Sequence, residues 1–453
     1  MKFVIIGGDA AGMSAASRCR RMDPSIEVTV LEQTRDVSYS ACGMPYNIAD
    51  PARHMDDLVV RPAVVFRDKL GIDVRLGMRA EVIDRGARVV RGRTADGGDF
   101  QVPYDKLLIA VGAGPITLSI PGAELEGVMA LKSLEDGRAV KDFLHRRSVE
   151  RALIIGMGYI GLEMAEAFHA RGVAVEMAKP GRRLLPWMPD ELAAVVKEEL
   201  EAKGVTLLLG NEPAAMEKAD SGLKVTYKDG STSSVGMVMM GIGVAPNSEI
   251  AANAGLDLGP KRSIAVDRTL RTSDPDIFAA GDCADAFHVV TGRRVWIPLA
   301  LRANRAGWAV ADNVAGRVKE LPGIVGTAVF KAFDLEIARS GLSLSEARAE
   351  GFDAVETVIS SRSRAHAHPG NQRIHVALTG DRKSGRLLGA AMVGREGVAH
   401  RINAVAVALH AAMTVEEFSQ CDMAYAPPFG PVWDPLLTAG NQLLKTMGLG
   451  PEA

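Results

Sequence analysis

Cysteine is scarce in this chain of 453 residues: there are four, and no two of them form a C-x-x-C pair. Secreted disulfide scaffolds and zinc ribbons require denser or paired cysteines, so both classes are excluded and no metal site is predicted. Isolated thiols are typical of a reducing compartment, and we expect a cytoplasmic protein. The four residues are Cys19, Cys42, Cys283 and Cys421.

An excess of charge of one sign and long apolar runs are also absent. Lys and Arg number 53 and Asp and Glu 55, a net charge of −2, which argues against a polyanion-binding surface. The most apolar later run, residues 235–246, is shorter than the ~18 residues of a membrane helix. The apolar amino terminus is interrupted at Gly7, too early for a signal peptide. We therefore expect neither a nucleic acid nor a membrane as a partner.

Glycine, by contrast, is abundant at 47 residues, and two glycine-rich turns follow apolar strands. The chain begins with a strand (3–6), a glycine turn (7–12), a helix (13–22) and a second strand (27–31), and the same order returns over 152–178. Continuous apolar strands alternating with helices are typical of buried parallel sheets. Two such units predict two nucleotide-sized sites, each at the carboxyl end of a sheet.

Apolar strands at 107–112 and 238–243 indicate how the units are arranged. A strand that returns after the second unit predicts that this unit is inserted into the first domain. From about residue 323, alternating strand patterns replace the nucleotide signals. The predicted fold is α/β, with two Rossmann-like dinucleotide-binding domains and a carboxyl-terminal α+β domain. The predicted boundaries are 1–112 with 242–322, 113–241, and 323–453.

The first glycine turn carries most of a dinucleotide-binding fingerprint. Gly7 permits the tight turn, Gly12 lets the helix pack on the strand, and Glu32, twenty residues on, stands where an acid accepts ribose hydroxyls. Asp9 replaces the usual middle glycine, and its carboxylate would repel phosphate unless the side chain points away. A structural turn is the alternative, but the flanking strand, helix and acid favour a nucleotide site.

The second turn is an intact G-x-G-x-x-G formed by Gly156, Gly158 and Gly161. Eighteen residues past Gly161, where an acid would select a free 2′-hydroxyl, stands Lys179, with Arg182 and Arg183 close behind. Cations there suit a 2′-phosphate, so NADPH is favoured over NADH. A solvated loop is the alternative interpretation.

Two shorter motifs complete the set of candidates. Cys42 stands among small and turn-forming residues just after the first unit, and at a helix start its thiol pKa would be lowered. A small buried side chain is the alternative for a lone cysteine. Asp282 follows a short apolar strand, where an acid binds a ribityl hydroxyl or simply ends a turn.

Together these segments resemble the flavoprotein pyridine nucleotide–disulfide oxidoreductases, over essentially the whole chain. The resemblance is strongest to their single-cysteine branch, which contains coenzyme A disulfide reductases, NADH oxidases, peroxidases and persulfide reductases. It rests on residues 40–46 (SACGMPY), 156–161, 278–283 (FAAGDC), 303–305 (ANR) and 425–428 (YAPP).

The resemblance implies the roles of the cofactor-binding residues. It assigns FAD to Gly7, Gly12, Glu32 and Asp282, and the nicotinamide cofactor to Gly156, Gly158 and Gly161. Tyr159 would cover the flavin face where the nicotinamide docks, with Glu163 beside it.

Cys42 would be the redox thiol against the other flavin face. Neither Val37 nor Asn47, five residues to either side, is a cysteine, so no disulfide within the motif is available. The redox disulfide is then mixed, between Cys42 and a small thiol such as coenzyme A, or Cys42 cycles through a sulfenic acid. Peroxidase-like members carry a histidine where this chain has Ala10, which counts against peroxidase chemistry.

The resemblance also implies a homodimer whose carboxyl-terminal domain contributes to the partner's active site. Tyr425 matches the branch's catalytic tyrosine, placed to donate to a leaving thiolate, although simple packing is an alternative. Arg18, Arg21 and Arg61 fall where coenzyme A phosphates lie, or are solvated. Ser38, Asn304 and His368 complete the predicted substrate site. The run from His366 to His368 replaces the branch's aromatic pair, and a surface loop is favoured there.

The expected function is FAD-dependent NAD(P)H reduction of coenzyme A disulfide, or of a related persulfide or polysulfide, through Cys42. Two alternatives stay open. One is an NAD(P)H oxidase that reduces oxygen at the flavin, and the other is a flavoprotein that transfers electrons to a protein carrier.

Overall fold

The computed structural model describes residues 1–220 and 222–449. The α-helices are α1 (Ala10–Met22), α2 (Met44–Ala49), α3 (Ala63–Leu70), α4 (Leu134–Arg146), α5 (Tyr159–Ala170), α6 (Asp190–Ala202), α7 (Glu249–Asn253), α8 (Ala300–Val314), α9 (Leu344–Ala349), α10 (Val398–His410), α11 (Val415–Ser419) and α12 (Pro435–Met447). Short 3₁₀ turns occupy Ala41–Gly43, Met55–Leu58 and Pro260–Arg262.

The strands, in chain order, fall into several sheets. They are β1 (Lys2–Ile6), β2 (Glu27–Glu32), β3 (Asp73–Leu76), β4 (Met78–Asp84), β5 (Val89–Thr94), β6 (Asp99–Pro103), β7 (Lys106–Ile109), β8 (Ala113–Pro115), β9 (Val128–Ala130), β10 (Arg151–Ile155), β11 (Ala174–Lys179), β12 (Thr206–Leu209), β13 (Pro213–Ala219), β14 (Gly222–Tyr227), β15 (Thr232–Val235), β16 (Met237–Met240), β17 (Val244–Pro246), β18 (Ile277–Ala279), β19 (Ala286–Phe287), β20 (Arg294–Val295), β21 (Ala328–Ala332), β22 (Leu335–Gly341), β23 (Ala354–Arg362), β24 (Arg373–Asp381) and β25 (Leu387–Gly394).

The first large sheet is parallel, in the order β18-β7-β1-β2-β3. Its central strand β1 pairs Ile5 with Val30 on one side and with Leu108 on the other. All three side chains are fully buried, which explains why these strands are continuously apolar. Strand β18 comes from far along the chain, after the second sheet is complete.

The second large sheet is also parallel, in the order β12-β11-β10-β16-β9. All its strands lie between β8 and β17, so this unit is inserted into the first, as predicted. Where the chain leaves and returns, β8 and β17 pair antiparallel, with Pro115 opposite Val244. Two small antiparallel sheets, β4-β5-β6 and β13-β14-β15, attach to the two units.

The carboxyl-terminal unit is an antiparallel sheet in the order β21-β22-β25-β24-β23. Every residue of β25 is buried, because α10 packs on one face and the other face, with Ala391 and Val393, joins the core of the second unit. The predicted α/β class with a third α+β unit is therefore confirmed. The domain boundaries predicted from the sequence remain predictions.

Helices α1 and α8 pack closely beside the first glycine turn. A Cβ on Gly307 would lie 2.2 Å from the carbonyl oxygen of Ala11, so only glycine permits this approach. The pair is fastened by a hydrogen bond from Ser14 Oγ to Asn304 Oδ1 at 2.7 Å. Within the described residues no helix is long and apolar enough to cross a membrane.

Candidate active site

The first glycine turn lies between β1 and α1, at the carboxyl end of the first sheet. Gly7 has a φ of +107°, and a Cβ there would lie 2.2 Å from the carbonyl oxygen of Ala110. A Cβ on Gly12 would lie 1.9 Å from the carbonyl oxygen of Gly7. These two glycines thus allow the helix to start directly above the strand, the geometry that presents helix N–H groups to a diphosphate.

Asp9, the unusual residue of this turn, is turned toward the next loop. Its Oδ1 accepts a hydrogen bond from the backbone N–H of Tyr39 at 3.3 Å, and its side chain does not cap α1. Burial and the neighbouring Glu32 raise the pKa of the Asp9 carboxyl to about 6. The side chain therefore points toward the loop that leads to Cys42 rather than along the helix axis.

Two acids end strands of the first sheet. Glu32 ends β2 and accepts hydrogen bonds from the N–H of Gly8 at 2.7 Å and from the N–H and hydroxyl of Thr34, both at 2.8 Å. Asp282 lies just beyond β18 and pairs with Lys132 Nζ at 2.9 Å. The carboxylate of Glu32 retains lone pairs for further donors, so the turn and both acids fit an adenine dinucleotide such as FAD.

The second glycine turn repeats this geometry between β10 and α5. Gly156 has a φ of +104°, and a Cβ there would lie 2.3 Å from the carbonyl oxygen of Gly241. A Cβ on Gly161 would lie 2.5 Å from the carbonyl oxygen of Gly156. A Cβ on Gly158 would contact nothing within 4 Å. The middle of the turn is thus open, and it fits the diphosphate of a second dinucleotide.

The cations after β11 differ in availability. Lys179 Nζ donates to the carbonyl oxygens of Arg183 and Leu184 at 2.7 and 3.1 Å, and burial lowers its pKa. Arg183 pairs with Asp190 at 2.8 Å. Arg182 makes no hydrogen bond or ion pair among the described residues. Of the three predicted cations, Arg182 is therefore the one whose side chain is available to bind a ligand.

Cys42 lies in the 3₁₀ turn that precedes α2 and is the most accessible of the four cysteines. Cys42 is exposed and Cys421 is partly exposed, whereas Cys19 and Cys283 have no exposed surface. The loop before Cys42 is tied to the first glycine turn by the N–H of Ser38, which donates to the carbonyl oxygen of Gly8 at 3.0 Å. The thiol therefore stands close to the first dinucleotide turn.

The electrostatics of Cys42 differ from the sequence-based expectation. A cysteine at a helix start was expected to have a lowered pKa, but the loss of water around the thiol and the carboxylate of Glu163 raise the pKa of Cys42. The 3₁₀ turn and the six-residue α2 offer only a short helix dipole. Desolvation of the thiol and the acids around it, Glu163 foremost, thus set the direction of this shift.

Glu163, on α5, lies beside Cys42, and Tyr159 is the first residue of the same helix, next to the second turn. The hydroxyl of Tyr46, four residues after Cys42, donates to Glu163 Oε1 at 2.9 Å. The Tyr159 ring stacks on Phe330 from β21, with ring centroids 4.5 Å apart. Cys42 is thus placed between the two glycine turns, with Glu163 and Tyr46 beside it.

The predicted substrate residues are divided between paired and free side chains. Arg18 forms a bidentate ion pair with Asp312, with both oxygens 2.9 Å from Nη2. Arg21 and Arg61 are exposed, and Arg61 lies over the ring of Phe66 at 5.4 Å. Ser38 has a φ of +52°, a strained value that fixes the backbone leading to Cys42.

The carboxyl-terminal candidates lie in two adjoining loops. His366–His368 belong to the loop between β23 and β24, and His368 Nδ1 contacts the carbonyl oxygen of Pro369 at 3.0 Å. The N–H of Ala365 donates to the carbonyl oxygen of Pro427 at 3.1 Å, which joins this loop to the segment that carries Tyr425. Tyr425 is 49% exposed, and no hydrogen bond joins it to Cys42 within the described chain.

Three contributors to the site had no assigned role in the sequence. Tyr46 stands one helical turn after Cys42, a spacing that was available as a signal. Phe330 and Lys132 come from distant segments, and no local pattern could have paired them with Tyr159 or Asp282. Among the described residues, no group of three or more His, Cys, Asp or Glu side chains is placed to hold a metal ion.

Comparison with known proteins establishes the family. The chain belongs to the pyridine nucleotide-disulphide oxidoreductase family, which matches residues 1–307, and residues 327–435 match the dimerisation domain of that family. This confirms the resemblance inferred from the sequence, and the family implies FAD and a nicotinamide cofactor.

Individual relatives cover nearly the whole chain. The chain is 39% identical to the NAD(P)H coenzyme A polysulfide/persulfide reductase of Pyrococcus horikoshii, over 98% of both proteins. It is 29% identical to the coenzyme A disulfide reductase of Staphylococcus haemolyticus, over 94% of this chain and 96% of the relative. The solved NAD-dependent persulfide reductase from A. fulgidus superimposes with a TM-score of 0.95 at 35% identity, covering 99% of this chain and 84% of that one.

Proposed function

We propose that this protein is an FAD-dependent NAD(P)H oxidoreductase that reduces coenzyme A disulfide, or a related persulfide or polysulfide, through Cys42. The observation that carries the proposal is the position of one exposed thiol between two dinucleotide turns. When bound, FAD would supply hydride acceptance from the nicotinamide and two-electron delivery to sulfur. The names of the relatives support the same substrate class.

Cys42 acts alone in this proposal, because Cys19 and Cys283 are buried and Cys421 lies in the carboxyl-terminal unit. The Cys42 thiolate attacks one sulfur of the disulfide, an S–S bond forms to Cys42, and the other half leaves as a thiolate that takes up a proton. Two electrons that originate in NAD(P)H then break the mixed disulfide and restore Cys42. One disulfide, one NAD(P)H and one proton thus give two thiols and NAD(P)⁺.

We assign the cofactor-binding residues by the resemblance to the family. Glu32 would accept hydrogen bonds from the hydroxyl groups of the FAD ribose, and Asp282 would accept one from a hydroxyl of the ribityl chain. Tyr159 would cover the flavin face where the nicotinamide docks, and Glu163 would lie beside it. These assignments follow the resemblance, and the glycine turns support them because their backbones are open to a diphosphate.

We assign NADPH as the preferred electron donor, with NADH also accepted. Strand β11 ends in Lys179, so no carboxylate stands there to bind a free 2′-hydroxyl. Lys179 holds its own loop, and the unpaired Arg182 is the cation that would contact a 2′-phosphate. Arg182 therefore carries this part of the proposal.

The substrate phosphates are assigned to the exposed Arg21 and Arg61, with Arg18 beside them. Neither guanidinium forms an ion pair with another described residue, so both suit the phosphates of coenzyme A. Arg18 is partly neutralised by Asp312, so its contribution is smaller. Asn304, hydrogen-bonded to Ser14 on the neighbouring helix, lies on the same pair of helices as Arg18.

We further propose a homodimer in which Tyr425 reaches the partner's Cys42 site and donates a proton to the leaving thiolate. The family's dimerisation domain supports the dimer. Large apolar side chains exposed on α8, α10 and the segment after Tyr425 also support it, because isolated proteins rarely expose so many. They are Leu301, Trp308, Val407, Phe429 and Trp433. His368, in the loop joined to this segment, would approach the substrate from the same side.

A cytoplasmic location remains a prediction from the sequence.

The raised pKa of Cys42 favours one second candidate. A thiol that is mostly protonated at neutral pH is a weaker nucleophile, so oxygen reduction at the flavin by NAD(P)H is the alternative activity. Oxygen consumption without any sulfur substrate, at a rate equal to that with the best disulfide, would support this alternative. Electron transfer to a protein carrier would instead leave Cys42 dispensable.

The test compares coenzyme A disulfide turnover with NADPH by the wild-type protein, Cys42→Ser and Cys421→Ser. Cys421→Ser is the matched control, since it removes the other partly accessible thiol. We expect Cys42→Ser to lose at least about a hundredfold in rate, and Cys421→Ser to keep the wild-type rate. Unchanged turnover by Cys42→Ser would contradict the mechanism.

A further inference from the structure

We infer that the Asp9 carboxyl takes up a proton when FAD binds, so that the FAD affinity of this chain falls as pH rises. The inference rests on the proposed FAD site and concerns the residue that replaces glycine in the first turn. It predicts that the affinity for FAD depends on pH in a way that a glycine at this position could not produce.

The position of Asp9 places it at the diphosphate. Asp9 is the third residue of the turn from Gly7 to Gly12 and the residue that immediately precedes α1. In this turn the backbone approaches the diphosphate closely, at the amino terminus of the helix. Although Oδ1 of Asp9 is held by the Tyr39 loop, a charge on this residue would act on the two negative charges of a diphosphate bound at the turn.

The hydrogen bonding of Asp9 leaves one oxygen available. Oδ1 accepts the N–H of Tyr39 at 3.3 Å, and Tyr39 itself pairs with Val59 across an isolated bridge. No hydrogen bond to Oδ2 is present among the described residues. The carboxyl is thus held by one oxygen between the turn and the Tyr39 loop, and the other oxygen is free to carry a proton.

The charges that face Asp9 disfavour its ionised form. Glu32 reaches it from β2 and Asp282 from the end of β18, and the one nearby cation, Lys132, is already paired with Asp282 at 2.9 Å. Burial of the carboxyl is the largest cause, these acids add to it, and together they raise the pKa of Asp9 to about 6. Before FAD binds, Asp9 is therefore mostly ionised at pH 7.

A bound diphosphate adds negative charge and so raises the pKa of Asp9 further. A protonated Oδ2 donates a hydrogen bond to a phosphate oxygen while Oδ1 still accepts from Tyr39. Above pH 6, the protein therefore takes up one proton together with each FAD that it binds. Affinity falls by up to about tenfold per pH unit until the pKa of the complex is reached. Below pH 6, Asp9 is protonated in both the free protein and the FAD complex, so its titration no longer changes the affinity for FAD.

The experiment measures FAD dissociation from the full-length protein between about pH 5.5 and 8.5 by the fluorescence of released flavin. Wild type is compared with Asp9→Asn, which is neutral and keeps an oxygen for Tyr39. The matched control is Asp23→Asn, which removes an exposed carboxylate at the opposite end of α1. Calorimetry in two buffers of different ionisation enthalpy counts the protons taken up, and this count on wild type alone suffices if Asp9→Asn does not fold.

We expect the dissociation constant of wild type and Asp23→Asn to rise at least about tenfold from pH 6 to pH 8, with close to one proton taken up near pH 8. Asp9→Asn should change less than about threefold and take up almost none. A flat wild-type profile without proton uptake, or an Asp9→Asn profile parallel to wild type, overturns this inference alone. Absence of FAD binding at every pH overturns the proposed function with it.

Discussion

The hydroxyl of Tyr46 donates a 2.9 Å hydrogen bond to Oε1 of Glu163. This bond joins α2, the short helix after Cys42, to α5, the helix that follows the second glycine turn. These residues are 117 positions apart in the chain. The bond places a carboxylate beside Cys42, the most exposed of the four cysteines. The proposed thiol site and the proposed nicotinamide site therefore share Glu163.

Glu163→Gln should lower the pKa of the Cys42 thiol, because it removes the nearest carboxylate that raises this pKa. At a fixed pH below that pKa, more of the thiol is ionised, and alkylation of reduced holoenzyme should become a few-fold faster. The measurement is the rate of Cys42 alkylation by iodoacetamide against pH, followed by mass spectrometry. Glu166→Gln, on the same helix, is the control and should leave the profile unchanged. A Glu163→Gln profile identical to wild type would show that burial alone sets this pKa.

Phe330→Leu should weaken binding of the nicotinamide cofactor, because Tyr159 loses the ring on which it stacks at a centroid distance of 4.5 Å. An aromatic pair contributes about 1 kcal/mol, which corresponds to a KM for NADPH raised about fivefold. Steady-state kinetics should show little change in kcat, since no reacting group is altered. Val329→Ala, an exposed neighbour on the same strand, should behave as wild type. Equal KM values for Phe330→Leu and wild type would mean that Tyr159 needs no support from β21.

Arg182→Ala should raise the KM for NADPH about tenfold and leave the KM for NADH unchanged. A charge-assisted hydrogen bond to a 2′-phosphate contributes about 1.5 kcal/mol, and NADH lacks that phosphate. Arg183→Ala is the control, since its guanidinium is already paired with Asp190. A parallel change for both nucleotides would place Arg182 at a part of the cofactor that they share.

Arg138→Met should destabilise the protein, because Arg138 is the partner of a buried carboxylate. Arg138 donates to both oxygens of Asp36 at 2.6 and 2.8 Å, and Asp36 is 9% exposed. Leaving such a carboxylate unpaired costs about 3 kcal/mol, measured as a lower midpoint in urea unfolding. Arg146→Met, in an exposed pair with Asp142 on the same helix, should have no measurable effect. Equal midpoints for the two variants would contradict a structural role for Arg138.

The fold was predictable because its signals are local. The buried strands, such as β1 with Ile5, are continuously apolar, and Gly7 and Gly156 stand where only a positive φ closes the turn. The side chains around Cys42 were not predictable in the same way. Phe330 stacks on Tyr159 and Lys132 pairs with Asp282 from distant segments, and desolvation of the Cys42 thiol raised a pKa that the helix start alone predicted to fall. Local patterns report backbone geometry well, whereas charge at a site depends on residues that are distant in sequence.

The intact mass of the purified protein, measured before and after reduction, tests the central claim most directly. The account predicts a thiol adduct, with coenzyme A as the first candidate, that is attached at Cys42, lost on reduction and absent from Cys42→Ser. Reduction in the presence of NADPH alone should release it and leave one free thiol at that position. An unmodified Cys42 that also forms no adduct when reduced protein is incubated with coenzyme A disulfide would contradict the account.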